Sequence, residues 1–177
     1  MIHPLAGRDE TIKYINEVHS RIVVIFDGAY ETIADDIEKT SAEKVIVASP
    51  ADSLPFVLNI AYNLKVRKRT YNEDFFQTWK KFILEGVGTT VKAVKKDCHE
   101  VAIISHTGGT TGEPKGCMIS DYNTIAEVWQ VGKTMNPSRQ ECMLAVLPPF
   151  VNYSLTNGMF EPLSFGMQLV LVPQYEP

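Results

Sequence analysis

Short runs of aliphatic and β-branched residues alternate along the chain with stretches whose apolar positions recur every three or four residues. Ile22–Phe26, Val45–Ala48, Val101–Ile104, Cys142–Leu147 and Gln168–Val172 are the short runs. All five predict strands, and the first three, as continuous apolar runs, predict strands buried on both faces. Helical spacing fills the intervals. A first helix follows Gly7, with Asp9 as N-cap and Ile12, Ile15 and Val18 inward. Tyr30, Ile33 and Ile37 predict a second, reaching Thr40 and turning Asp35 and Asp36 to solvent. Asp52 or Ser53 is placed to cap a third, with Pro55 in its first turn. Its apolar face is Leu54, Val57, Leu58, Ala61 and Leu64. Phe75, Phe76, Trp79, Phe82 and Ile83 predict a fourth, stopped at Gly86. A fifth starts near Ser120 or Asp121, with Ile125, Val128, Trp129 and Gly132 inward, and Tyr153–Leu163 is a helical or irregular connection. Strands separated by helices need crossover connections, which predicts an α/β fold: doubly wound, with a mainly parallel sheet and helices on both faces.

Composition narrows the function. The 177 residues include 45% hydrophobic side chains, enough for a core without disulfides or metal. Seventeen Lys and Arg against 21 Asp and Glu leave a net charge of −4, which argues against a nucleic-acid binder. Between Lys65 and Lys96 nine bases face three acids, a local excess that reads as a solvated helix face. No apolar run approaches the ~20 residues of a transmembrane helix, and from the Met1-Ile-His-Pro4 start, which lacks a basic-then-apolar pattern, no signal peptide is expected. Cys98, Cys117 and Cys142 are an odd set that forms no disulfide framework, so a reducing, cytoplasmic compartment is expected. Cys98, His99, His106 and Cys117 match no zinc-module spacing, and no metal site is expected from them.

The chemistry concentrates in His106-Thr-Gly-Gly-Thr-Thr-Gly-Glu-Pro-Lys-Gly116, directly after the Val101–Ile104 run. Gly108, Gly109 and Gly112 allow close backbone approach, and successive N–H groups in such a loop make a nest for anionic oxygens. Thr107, Thr110 and Thr111 add hydroxyls, and Lys115 adds a positive charge. The set suits a polyphosphate. It is not a Walker A loop, because Pro114 precedes the lysine and Gly116-Cys117 follow it, leaving no hydroxyl for magnesium. The glycines also lack the register of a Rossmann turn. The loop is expected to join Val101–Ser105 to a short strand near Gly116–Ile119.

This segment resembles the signature loop of the adenylate-forming (AMP-binding) superfamily, the acyl-CoA synthetases and their relatives, whose pattern is approximately Tyr-Thr-Ser-Gly-Thr-Thr-Gly-x-Pro-Lys-Gly. Thr107, Gly109, Thr110, Thr111, Gly112, Pro114, Lys115 and Gly116 match; His106 replaces the tyrosine and Gly108 the serine, as in fatty-acyl members. Leu147-Pro-Pro-Phe150-Val-Asn-Tyr153 stands where the family carries a Leu-Pro-x-Phe-His-like segment, with Val151 at the histidine position.

The resemblance implies ATP and Mg2+ as cofactors, with a carboxylate and CoA as co-substrates. It implies an acyl-adenylate and then an acyl-CoA as products, and a place in fatty-acid metabolism. Thr107, Gly108, Gly109, Thr110, Thr111, Gly112 and Lys115 would bind the ATP phosphates; Phe150, Val151, Asn152 and Tyr153 would border the acyl pocket. Whole members are about three times longer, so residues 1–177 are expected to be one partial AMP-binding domain without the C-terminal domain. Such a piece is expected to be inactive alone and to self-associate through uncovered strands near Val101–Ile104, Leu144–Leu147 and Leu169–Val172. The alternative reading is a non-catalytic nucleotide- or partner-binding domain.

Overall fold

The computed structural model describes residues 1–4, 6–65, 74–107, 112 and 114–172. Two compact units divide the chain: residues 3–93, and residues 94–177 together with 1–2.

In the first unit, β1 (Ile22–Phe26), β2 (Lys44–Ala48) and β3 (Phe76–Thr78) form one parallel sheet in the order β1-β2-β3. The register pairs Val23 with Val45 and Val45 with Phe76. Helix α1 (Arg8–Glu17) and the short α2 (Tyr30–Ile33) supply Ile15 and Ile33 to a core with Ile37, Val45, Ile46, Val47 and Phe76. Central β2 is buried as the pattern requires. β1 is not buried on both faces as expected. Ile22, Val24 and Phe26 alternate outward and are exposed, because β1 is an edge strand with one face covered.

Several local expectations are corrected. The α1 N-cap is Gly7, and Asp9 lies within the first turn. The helix expected to reach Thr40 breaks after Ile33 and resumes as a 3-10 turn, Ile37–Lys39. That break turns Asp36 inward, against the solvent-facing expectation: it is buried and ion-paired with Arg8 and Lys39. Lys39 first, then Arg8, holds its carboxyl below the usual range. Asp35 is exposed. Asp52 caps nothing from in front. It closes a capping box with Ser49 around the 3-10 turn Pro50–Ser53, and α3 (Phe56–Lys65) begins beyond it.

Phe76 is a buried strand residue rather than a helical one, since a parallel partner on β2 is available to it; α4 starts only at Trp79 and ends at Gly86. The apolar faces of α3 and α4 do not pack into a core among the described residues: Val57, Leu58, Leu64, Phe82 and Ile83 are exposed. Arg67, Lys68 and Arg69 lie outside the described residues.

In the second unit the antiparallel pair β4 (Val101–His106) and β5 (Gly116–Ser120) leads into α5 (Asp121–Met135). A separate parallel pair joins β6 (Cys142–Ala145) to β7 (Gln168–Leu171). The α/β class is therefore present, with parallel strands in two of three separate sheets. β4 is half-exposed instead of buried, because β5 is its sole ladder partner among the described residues. The connection from β6 to β7 is one helical run, α6 (Asn152–Leu155), a π turn (Thr156–Phe160) and α7 (Glu161–Phe165). Pro162 has no N–H for the carbonyl four residues back, which accounts for the widened turn before it. Gly166, at φ +69°, ends the run: its N–H donates to the Leu163 carbonyl and the Met167 N–H to that of Pro162.

Candidate functional site: a glycine–threonine hairpin and an acidic groove

The signature segment sits at the tip of the β4–β5 hairpin. His106 pairs with Gly116 and Ser105 with Cys117. One residue further out, the Thr107 N–H donates to the Lys115 carbonyl at 3.0 Å, and the Lys115 N–H donates to Thr107 Oγ1 at 3.3 Å. These bonds close a neck that fixes where the loop leaves and rejoins the sheet. The expected strand after the loop is present as β5. Thr107, Gly112 and Lys115 are exposed. Gly108, Gly109, Thr110 and Thr111 lie outside the described residues.

β5 runs without a linker into α5, and Ser120 serves both. It pairs with Val101 and is the α5 N-cap. Its Oγ accepts the Asn123 N–H at 3.2 Å, while its own N–H donates to Asn123 Oδ1 at 3.0 Å. The capping box locks the direction in which α5 leaves the hairpin.

Beyond α5 lies a groove of about 590 Å³, formed by α5, β6 and the α6–α7 run. Its wall is apolar, with Val131, Met143, Leu144, Val146 and Leu147 among its residues. Of the four residues expected at an acyl pocket, Tyr153 lines it. Phe150, Val151 and Asn152 lead into α6 and are not part of its lining. Asn152 nonetheless turns a buried Oδ1 inward that has no hydrogen-bond partner among the described residues.

Sequence reasoning missed the pair of acids in the lining of this groove. Glu161 is 3% exposed, and Glu127 of α5 lies beside it with Asn157 donating Nδ2–H to Oε1 at 3.0 Å. Burial first, and the Glu127 charge second, push the Glu161 carboxyl above its ordinary range. The available signal was a lone acid followed by proline inside the apolar stretch Met159-Phe160-Glu161-Pro162-Leu163.

Asp27, also unanticipated, is buried at the end of β1. It accepts hydrogen bonds from Ser49 Oγ at 2.6 Å and from Tyr62 Oη at 2.9 Å. It ties β1, the end of β2 and α3 together, a structural use of a carboxylate. Asp97, Cys98 and His99 hold ligand atoms within 4.8 Å of one another, but all three are exposed and the Asp97 carboxylate already accepts the His99 backbone N–H. The three cysteines are free and exposed, and no helix among the described residues is long and apolar enough to cross a membrane.

The chain is thus α/β, with the Gly/Thr/Lys segment between β4 and β5. A family model for the AMP-binding enzyme family matches residues 1–177, and the chain belongs to that family. It is 25% identical to a long-chain-fatty-acid–CoA ligase of Bacillus subtilis over 99% of its own length and 32% of the relative's. It is 24% identical to a probable 4-coumarate–CoA ligase of Dictyostelium discoideum, again over 99% and 32%. Among solved structures it resembles the anthranilate CoA ligase AuaEII in complex with anthranoyl-AMP, at a TM-score of 0.76 and 15% identity over 98% of this chain and 30% of that one. ATP-bound MatB from Rhodopseudomonas palustris gives 0.72 and 18%, over 99% and 30%. The chain thus spans about a third of the length of these relatives.

Proposed function

We propose that this chain is part of an ATP-dependent carboxylate–CoA ligase of the cytoplasm that forms an acyl-adenylate and then an acyl-CoA, with its place in fatty-acid metabolism. Residues 1–177 form a partial AMP-binding domain in this reading. A carboxylate is a poor electrophile, and joining it to the α-phosphate of ATP supplies pyrophosphate as a good leaving group. The observation that carries the reading is the Thr107–Lys115 neck. It presents Lys115 and Thr107 at the mouth of a loop whose remaining members, Gly108, Gly109, Thr110, Thr111 and Gly112, offer backbone N–H groups and hydroxyls. These groups fit the charge that develops on a departing pyrophosphate.

Thr107 and Lys115, the described polar residues of the loop, provide a hydroxyl and an ammonium, which fit phosphate oxygens. Mg2+ would arrive bound to the nucleotide and share the phosphate charge. The groove that Tyr153 lines would take the acyl portion, with Phe150, Val151 and Asn152 at its approach.

A non-catalytic nucleotide- or partner-binding role is the second reading, favoured by the uncovered apolar faces of α3 and α4. Carboxylate-driven exchange between pyrophosphate and ATP separates the two, since activity removes the binding-module reading. On the chain itself, Lys115→Ala is expected to weaken pyrophosphate binding about tenfold or more, the worth of a charge-assisted contact. Calorimetry giving equal affinities removes Lys115 from the site.

A further inference from the structure

We propose that the groove beside α5 is a binding site for a protonated amine carried on an apolar body, with Glu161 and Glu127 as the pair that recognises the cation. Glu161 is nearly fully buried, borders the groove, and has no hydrogen-bond or ion-pair partner among the described residues. Glu127 is half-buried, and among the described residues only its Oε1 is engaged, by Asn157. No Lys, Arg or His lines the groove among the described residues. The described residues thus set two acids in the lining of a mainly apolar cleft and supply no cation to it. A buried carboxyl without a partner is costly, and two facing each other add repulsion. A cation in the groove relieves both costs at once, which is the driving force for binding.

The shape argues for an organic cation over a metal ion. A divalent ion needs six or more oxygens; besides the two glutamates the groove offers only the amide and hydroxyl oxygens of Gln130, Thr134, Ser154 and Asn157, within a mainly apolar lining. Such a lining suits hydrocarbon, with a few polar groups fixing orientation. Combined with the ligase reading, on which this one step rests, the site selects acids that carry an amine at the end away from the carboxylate.

The test is calorimetric titration of the 177-residue chain with n-hexylamine, with n-hexanol and hexanoate as neutral and anionic controls of the same length. Hexylamine is expected to bind about tenfold or more tighter than either control, and Glu161→Gln is expected to remove that advantage. Glu127→Gln, at a half-exposed position that tolerates change, is expected to reduce it even where the Glu161 variant folds poorly. Hexylamine binding no tighter than hexanol, an unchanged preference in Glu127→Gln and a folded Glu161→Gln, or displacement of the amine by equimolar Ca2+ overturns the proposal. The expected amine preference, found in a chain that binds no pyrophosphate by calorimetry, keeps the amine site and removes the loop observation on which the ligase reading stands.

Discussion

Ser120→Ala tests how the hairpin and α5 are joined. Ser120 is 9% exposed and its Oγ accepts the Asn123 N–H, one of the orphan donors of the first turn of α5. The same hydroxyl donates to Asn123 Oδ1 at 2.9 Å. Alanine removes both contacts but keeps the backbone bond from Ser120 N–H to Asn123 Oδ1. Half of the capping box survives. Loss of such a cap costs about 1 kcal/mol, within a range of roughly 0.5–2. For a chain of this size that corresponds to a fall in Tm of about 2–4 °C.

Trp129 lies on α5 itself, so its fluorescence in a Trp79→Phe background follows the unit that contains the cap. Urea titration should show a lower midpoint with an unchanged slope. Ser120→Thr, which keeps an acceptor, should recover most of the loss. An unaltered midpoint in Ser120→Ala, or a threonine variant as weak as alanine, refutes the assignment of Ser120 as the cap.

Glu161→Gln should change the pH dependence of stability. A carboxyl raised by burial and by Glu127 binds its proton more tightly in the folded chain. Its stabilising share is thus present below the unfolded value near 4.5 and is lost as pH rises through the raised folded value. The glutamine variant should lose less stability between pH 5 and 8 in urea titrations, and equal slopes would contradict the burial argument. Gly132→Ala should destabilise by about 1–3 kcal/mol, because a Cβ there runs into the Phe165 ring, and Phe165→Leu should relieve it; an additive double mutant would show no such contact. Val101, Leu144, Leu147 and Leu171 are all exposed, so light scattering should detect self-association that Leu144→Glu with Leu171→Glu reduces, and a strictly monomeric wild type would defeat this expectation.

The sequence alone determined the elements whose signals are local. β2 follows from its unbroken β-branched run. The start of α5 follows from Ser120 and the polar residues after it, and the hairpin from a glycine-rich loop between two short strands. The chemistry of the signature segment was also legible, because glycines, hydroxyls and a lysine act through backbone and side-chain type at fixed spacing. Tertiary structure decided everything that depends on a neighbour. Phe76 carries the same aromatic signal as Trp79 and Phe82, and only the free edge of β2 makes it a strand residue. Ile22 and Val24 read as core until β1 is seen to be an edge with one face open. Asp36 reads as solvated until the helix breaks after Ile33 and brings Arg8 and Lys39 around it. Glu161 and Glu127 stand 34 residues apart in the chain, and the fold alone sets both in the lining of one groove. Their meeting depends on the packing of α5 against the α6–α7 run, a long-range contact that no local pattern encodes.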